Sequence, residues 1–469
     1  MPIQDTFRLA PFLPAFLPLV AAADPVVTIS PYKHLQVYES GATGFTWYWG
    51  HLRSAPNRDE VLHWLFQDLN IDYVRIGLEP CEPANDNDDP RSIDWSKLKF
   101  NPPNESNEWV CHQAKPLNPR LKVIAYGHAF PTWLRVNGKE PDFSNRNFHA
   151  EYAEWIFANL VNLKRAEGMN CDILDLCNEP DYKGIGKDQA AGIFENVVPL
   201  LRAWVNDRTR NPWGVTMPKI MAPSCLSATV TREWLSDWKG KRSIWSNIDI
   251  VSTHQYGGGF EARNYAEVNA LRGDRPFFQS EMHCGHSTVL NNPHQLPDDK
   301  VEDQLEAALT LGRLFSVAVG NGVSVYDYYM GVSPQESPTS LVHSPHGKPA
   351  TRRKVYFAFK QLSSMQTRGS NVVATRITDA SPGCDVIAYH SGIERKAWIT
   401  VTSSDNSGQG MTLRLLDKNG SALPIQTVNI YETSASRNAE RVATEAPPRS
   451  ADYKTDLPAQ CLRTYEVTW

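Results

Sequence analysis

Short apolar segments alternate with amphipathic segments along most of the chain. Eight of them have the length and apolar content of buried parallel strands: 41–47, 72–78, 121–126, 172–177, 219–223, 248–254, 277–282 and 323–328. Helical periodicity fills the intervals between them, for example over 57–70 and 147–166. Eight strand–helix repeats predict a (β/α)8 TIM barrel. An open doubly wound sheet is the alternative, but GATGFTWYWG at 41–50 poorly matches the glycine-rich turn expected after its first strand.

The pattern changes after residue 366. Apolar and polar residues then alternate in short segments, which Gly, Ser, Asn and Asp interrupt every 10–15 residues. This alternation predicts a C-terminal antiparallel β-sandwich domain over 367–469, following a catalytic barrel over 41–366. The segment 24–40 is also strand-like, and we expect it to join the sandwich.

The N-terminus is apolar. Residues 9–23 follow Arg8 and end with three alanines, which predicts a signal peptide over 1–23 and a secreted or periplasmic protein. A disordered N-terminal tail is the alternative. No later segment approaches 18 continuous apolar residues, so we expect no integral membrane segment.

Charge and cysteine content narrow the range of partners. The formal net charge is −5 and no polybasic run occurs, so we expect no nucleic-acid partner. We also expect a monomer. The 8 cysteines are not spaced as in a zinc site. Cys81 and Cys111 could form one disulfide, and Cys384 and Cys461 another. The other four, on or beside apparent core strands, are expected to be small buried side chains.

Two glutamates lie at the ends of predicted strands. Glu179 follows the fourth strand within Asn178-Glu179-Pro180, and Glu281 ends the seventh strand in FFQSEMHCG. Because catalytic groups of such barrels project from the C-terminal ends of the strands, the two carboxyl groups should face each other. An opposed pair suits glycosidic bond cleavage, in which one group donates a proton and the other attacks the anomeric carbon. The alternative is that each is an ordinary surface glutamate at a strand end, since surface glutamates are common and one alone would mean little.

These motifs resemble those of the retaining glycoside hydrolases of clan GH-A. The barrel, the sandwich and the closing segment LPAQCLRTYEV at 457–467 most resemble glycoside hydrolase family 30. The resemblance implies that Glu179 is the acid/base and Glu281 the nucleophile.

The resemblance also implies four supporting residues. Asn178 would hold the sugar 2-hydroxyl, and Arg75 would keep the nucleophile ionised. His254 and Tyr256, in STHQY, would lie near the nucleophile. A structural salt bridge is the alternative for Arg75, and a structural role is the alternative for His254.

Aromatic side chains near the strand ends are candidate sugar platforms, since pyranose C–H groups pack on aromatic faces. The candidates include Trp47, Trp133 and Tyr326, and His128 lies on the same loop as Trp133. Packing between barrel and helices is the alternative for each. The sequence lacks the common metal, phosphate-loop and serine-nucleophile motifs, so neither a metal nor another cofactor is expected.

The expected activity is that of a secreted retaining β-glycoside hydrolase. The expected substrate is an oligo- or polysaccharide, attacked internally: xylan, β-1,6-glucan or β-1,6-galactan. An exo-acting β-glycosidase resembling glucosylceramidases is the first alternative. A carbohydrate-binding relative without turnover is the second. The sequence does not decide the sugar or the linkage.

Overall fold

The computed structural model describes residues 24–78, 89, 92–97, 106–136, 140–256, 260–284, 304–336, 338–379, 383–448 and 450–469. The predicted signal peptide, over 1–23, lies outside these ranges, as does Cys81. Within them, no helix is both long enough and apolar enough to cross a bilayer.

Eight parallel strands close into a barrel, which confirms the predicted fold class. In chain order they are β1 (Ser40–Gly44), β2 (Tyr73–Gly77), β3 (Lys122–Tyr126), β4 (Ile173–Asp175), β5 (Lys219–Cys225), β6 (Ile250–His254), β7 (Phe277–Glu281) and β8 (Val325–Tyr328). Each strand pairs with its neighbours in sequence, and β8 pairs with β1. Every predicted strand overlaps one of them.

The described α-helices lie mostly between these strands. They are Trp49–Ser54, Arg58–His63, Glu108–Leu117, Phe148–Glu167, Lys187–Asn206, Ala228–Trp238, Arg242–Trp245, Ala262–Leu271, Gln304–Gly320 and Lys354–Ser363. A π-helical segment, Trp64–Asp68, extends the second helix, and a single 3-10 turn covers Thr132–Leu134. Short two-residue strands occur at Arg135–Val136, Glu140–Pro141, Val332–Ser333, Val342–His343 and Thr351–Arg352.

The C-terminal region forms a nine-stranded sheet curled around its own apolar core, as the alternating pattern predicts. In spatial order its strands are Glu440–Glu445, Thr427–Thr433, Cys461–Thr468, Lys396–Ser403, Cys384–His390, Asn371–Thr378, Val26–Val37, Gln409–Leu415 and Asp452–Leu457. The N-terminal strand Val26–Val37 therefore lies inside this sheet, antiparallel to one neighbour and parallel to the other. The segment that precedes the barrel in the chain therefore pairs with strands that follow it.

The barrel interior is built in layers. One apolar layer takes a single side chain from each strand: Ala42, Tyr73, Ile124, Ile173, Met221, Ile250, Phe278 and Val325. Two residues further along a strand, the side chain again points inward, since strand side chains alternate between faces. That position holds Arg75 in β2, Asp175 in β4 and Asp327 in β8, all of them buried. The apolar floor therefore carries a charged layer on the side of the strand ends.

The proposed pairing of Cys384 with Cys461 is wrong. Both are free thiols, and the strand Lys396–Ser403 separates them in the sheet. Two interstrand spacings amount to about 10 Å, beyond the reach of a disulfide. Cys111 is fully buried, and its proposed partner, Cys81, lies outside the described residues. The four cysteines expected to be small buried side chains are buried and free: Cys171, Cys177, Cys225 and Cys284.

Candidate active site

Arg75 lies at the centre of the charged layer and contacts residues from three other strands. Its Nη1 donates to Glu281 Oε2 at 2.5 Å, and its Nη2 donates to the side-chain oxygen of Asn178. Asp175 lies 3.7 Å away. The Tyr126 ring packs against the guanidinium, with Cζ 3.7 Å from the ring centroid. The arginine is fully buried, so these partners replace its hydration.

Glu281 reaches the mouth of the barrel because its strand is irregular. Phe278 points inward, so strict alternation would point residue 281 outward. The register between β7 and β6 shifts between Gln279 and Glu281, and such an irregularity re-aims a side chain. Besides Arg75, the carboxylate faces the Tyr256 hydroxyl, which donates to Oε1 at 3.5 Å.

Glu179 has an unusual backbone conformation just after β4. Its φ of 47° lies in the left-handed region, which is costly for a side chain other than glycine. Its N–H donates to the Ser224 carbonyl at the end of β5, 3.1 Å away. Its Oε1 lies 2.8 Å from His254 Nδ1, and that same nitrogen is 4.0 Å from Glu281 Oε2. His254 therefore lies between the two carboxyl groups.

Glu179 and His254 both have pKa values shifted from those of exposed side chains. Burial raises the pKa of Glu179, while the nearby charges of Lys183 and Arg75 oppose that rise. Burial lowers the pKa of His254 to about 4, although Glu281 opposes this. At neutral pH His254 is therefore uncharged, and Glu179 holds its proton to a higher pH than an exposed glutamate does.

The predicted aromatic residues divide into two groups. Trp47 is 47% exposed beyond β1, and its ring lies 5.1 Å from that of His128, edge to face. Trp133 is half-buried against the core in the 3-10 turn. Tyr326 is fully buried, packs on Phe315 of a surrounding helix and donates to Gln255 Oε1 at 2.6 Å. The assignment of Tyr326 to sugar binding is therefore wrong, because its side chain points out of the barrel.

Several residues of the site were missed by the sequence reasoning. Tyr126, Asp175 and Asp327 surround Arg75 inside the barrel, and burial raises the pKa of Asp327 well above its usual range. Like Arg75, each aspartate lies two residues after an inward-facing residue of its strand, so its side chain also points inward. Counting along the strands would have revealed this. Tyr329, just past β8, packs close against Gly44, where a Cβ would lie 2.5 Å from its ring. No sequence pattern marks that contact.

One group of side chains in the described part of the chain could hold a metal ion. It consists of Glu179, His254 and Glu281, whose ligand atoms all lie within 4.8 Å of one another. Arg75 already donates to Glu281 at 2.5 Å, and a dication would be repelled by that guanidinium. The arrangement is better suited to proton transfer and nucleophilic attack than to metal binding.

Comparison with known proteins gives matches only at the level of structure. No family model matches the sequence, and no curated protein matches it. A family 30 endoxylanase from Clostridium papyrosolvens aligns with a TM-score of 0.66 and 18% identity, over 95% of this chain and 100% of that one. The catalytic domain of family 30 xylanase C from Talaromyces cellulolyticus gives 0.69 and 13%, over 95% and 100%.

A third similar structure is an endo-β-1,6-glucanase, with a TM-score of 0.61 and 14% identity, over 94% of each chain. The shared architecture extends over the barrel and the curled sheet alike. The chain therefore has the fold of these glycoside hydrolase family 30 enzymes.

Proposed function

We propose that this protein is a secreted retaining β-glycoside hydrolase that cleaves a β-glycan internally by double displacement. The spacing of Glu179 and Glu281 is the observation that carries the proposal. A carboxylate oxygen of each lies within 4.8 Å of the other. Retaining enzymes hold their two carboxyl groups about 5–5.5 Å apart, whereas inverting enzymes leave about 6.5–9.5 Å for a water molecule.

In the first step the Glu281 carboxylate attacks the anomeric carbon. The glycosidic C–O bond breaks, and the proton of Glu179 passes to the departing oxygen. Arg75 and Tyr256 orient the attacking carboxylate through the contacts at 2.5 and 3.5 Å. Burial of Glu179, which raises its pKa, keeps the proton available for this step.

In the second step Glu179, now ionised, removes a proton from water. The water oxygen attacks the anomeric carbon, and the ester bond to Glu281 breaks. Two inversions leave the product in the β configuration. Asn178 accepts a hydrogen bond from Arg75 through its side-chain oxygen, which directs its amide N–H groups elsewhere, in our proposal to the sugar 2-hydroxyl. No cofactor takes part.

The substrate class follows from the surroundings of the site and from its structural relatives. Trp47 offers an exposed aromatic face next to His128, and an extended glycan packs on such faces. Two of the similar structures are xylanases and one is an endo-β-1,6-glucanase. Xylan and β-1,6-glucan are therefore the first substrates to test, with β-1,6-galactan third.

The decisive experiment is digestion of a panel of these soluble polysaccharides. Oligomers as first products support internal cleavage, and monosaccharide alone supports an exo-acting enzyme. NMR of the first product should show the β anomer, whereas the α anomer would contradict the retaining mechanism.

Variants give the matched test of the residues. Glu281→Gln should abolish turnover and keep sugar binding. Glu267→Gln is the control, because that glutamate pairs with Arg263 and Arg232 on the protein surface. If the wild-type protein binds the glycans but cleaves neither them nor any fluorogenic glycoside, it is instead a carbohydrate-binding relative.

A further inference from the structure

Lys183 lies four residues after Glu179 and contacts the same turn. Its backbone N–H donates to the Glu179 carbonyl at 3.1 Å, closing the turn that begins at the glutamate. Its ammonium donates to the backbone carbonyl oxygens of Asn178 and His128, each 2.5 Å away. The lysine is therefore bonded to Glu179 through its main chain and to the preceding residue, Asn178, through its side chain.

The two carbonyls belong to neighbouring loops. His128 follows β3, and Asn178 follows β4. One half-buried ammonium thus joins both loops beneath the catalytic turn. Both acceptors are uncharged, so neither cancels the positive charge of the lysine.

The charge of Lys183 acts on Glu179 more than that of Arg75 does. Six charged or titratable groups face Glu179 from the elements around it: Lys183, Arg75, His254, Asp181, Tyr256 and Glu281. Arg75 is already bound to Glu281 and Asn178. His254 is uncharged at neutral pH. Lys183 is therefore the cation left to stabilise a negative charge on Glu179.

The environment of the ammonium itself is mixed. Burial lowers the pKa of Lys183, while nearby anionic groups oppose this, chiefly Cys177 if ionised, Glu179, Asp175 and Glu281. Burial raises the pKa of the Cys177 thiol to about 12, so that group is neutral at working pH. The acidic residues are consequently the charges that keep Lys183 protonated.

We propose that Lys183 is a positioning residue for proton donation: it fixes the carbonyl of Asn178 and stabilises the Glu179 carboxylate that forms when the leaving group takes the proton. This rests on the proposed function. In this proposal the lysine acts through Glu179 and Asn178 and does not contact the substrate. Replacing Lys183 should therefore slow cleavage most for leaving groups that must be protonated as they depart, and least for those that leave without a proton.

The test compares Lys183→Met, which removes the charge and the donors, with Lys183→Arg, which keeps the charge. Lys354→Met is the matched control. Lys354 also donates to two backbone carbonyls, those of Ser434 and Arg437. It joins the start of the helix Lys354–Ser363 to a loop of the C-terminal sheet, and the two glutamates are not among its partners. Each protein is assayed on phenyl and 2,4-dinitrophenyl β-glycosides of the sugar released from the polysaccharide panel.

For Lys183→Met, kcat/KM on the phenyl glycoside should fall about tenfold or more, with a much smaller loss on the dinitrophenyl glycoside. The alkaline limb of the pH profile should move to higher pH, because Glu179 loses a cation that favours its ionised form. Lys183→Arg should keep the limb near its wild-type position. Equal losses on both glycosides with an unchanged limb, as expected for Lys354→Met, would overturn the proposal.

Two further measurements keep the test decisive. If Lys183→Met does not fold, Lys183→Gln, which retains a donor without charge, takes its place with the same expected result. The pKa of Glu179 can also be read by NMR of ¹³C-labelled glutamate carboxyl groups, with Glu179→Gln for assignment. A higher pKa of Glu179 in Lys183→Gln than in the wild type supports the inference, and an unchanged pKa contradicts it. This reading needs no turnover, so absence of hydrolysis by the wild type would reject only the proposed function.

Discussion

Replacing Arg75 with Met is the sharpest test of how the site is held together. The side chain is fully buried, and its loss would leave Glu281 and Asp175 as buried carboxylates without their ion-pair partner. Removing one partner of a buried pair typically costs about 3–5 kcal/mol, because the remaining charge stays desolvated. The packing of the guanidinium on the Tyr126 ring adds to this loss.

The measurement is urea unfolding followed by tryptophan fluorescence, with kcat/KM determined on the same samples. Arg263→Met is the control. Arg263 donates to Glu267 at 2.8 Å, but its side chain is 83% exposed, so the midpoint should hardly move. Arg75→Met should unfold at clearly lower urea and lose turnover, since Glu281 would lose the donor that orients its carboxylate. Equal midpoints for the two variants would refute the idea that Arg75 neutralises buried carboxylates.

The same structure supports four other predictions. Burial lowers the pKa of His254 to about 4, so the neutral histidine contributes fully to folding stability above pH 6.5 and this contribution is lost as the pH falls toward 4. The loss amounts to about 3 kcal/mol of the free energy of unfolding. It should appear as a lower urea midpoint at pH 4 than at pH 7. A flat profile over that window would contradict it. Tyr326→Phe should cost about 1–3 kcal/mol by leaving a buried amide oxygen unpaired while KM stays unchanged, whereas Trp47→Ala should raise KM for polysaccharide at constant stability. Alkylation of the denatured, unreduced protein followed by mass spectrometry should label Cys384 and Cys461 on every molecule, and a disulfide-linked peptide would disprove their placement on separated strands.

The barrel was predictable because each of its strands is buried on both faces. Such strands appear as continuous apolar runs, and all eight were found from that feature. The curled sheet was predictable for the opposite reason, since one face of its strands is exposed and the residues alternate. Positions of Glu179 and Glu281 followed from the rule that barrel strands present catalytic groups at their C-terminal ends.

The failure at Tyr326 has a simple physical origin. Being near a strand end does not decide which way a side chain points, and parity along the strand does. Val325 belongs to the inner apolar layer, so Tyr326 must face the helices and Asp327 the barrel axis. The same counting would have found Asp175 from Ile173.

Parity has its own limit, and Glu281 marks it. Alternation from Phe278 would direct this carboxylate away from the axis, yet the shifted register beside β6 turns it toward Arg75. Likewise, the left-handed backbone of Glu179 depends on Ser224, a residue 45 positions further along the chain. Local sequence does not encode these departures, because tertiary contacts impose them.

The surroundings of the two glutamates favour one protonation state of Glu179. Four carboxyl groups, those of Glu179, Glu281, Asp175 and Asp327, surround the two cations Arg75 and Lys183. Were all four ionised, a largely buried barrel would carry two excess negative charges. Burial raises the pKa of Glu179 and of Asp327, which favours the protonated form of both, while Glu281 and Asp175 pair with Arg75. These contacts favour a proton on Glu179 opposite a Glu281 carboxyl group that Arg75 binds, which is the arrangement that double displacement requires at its start.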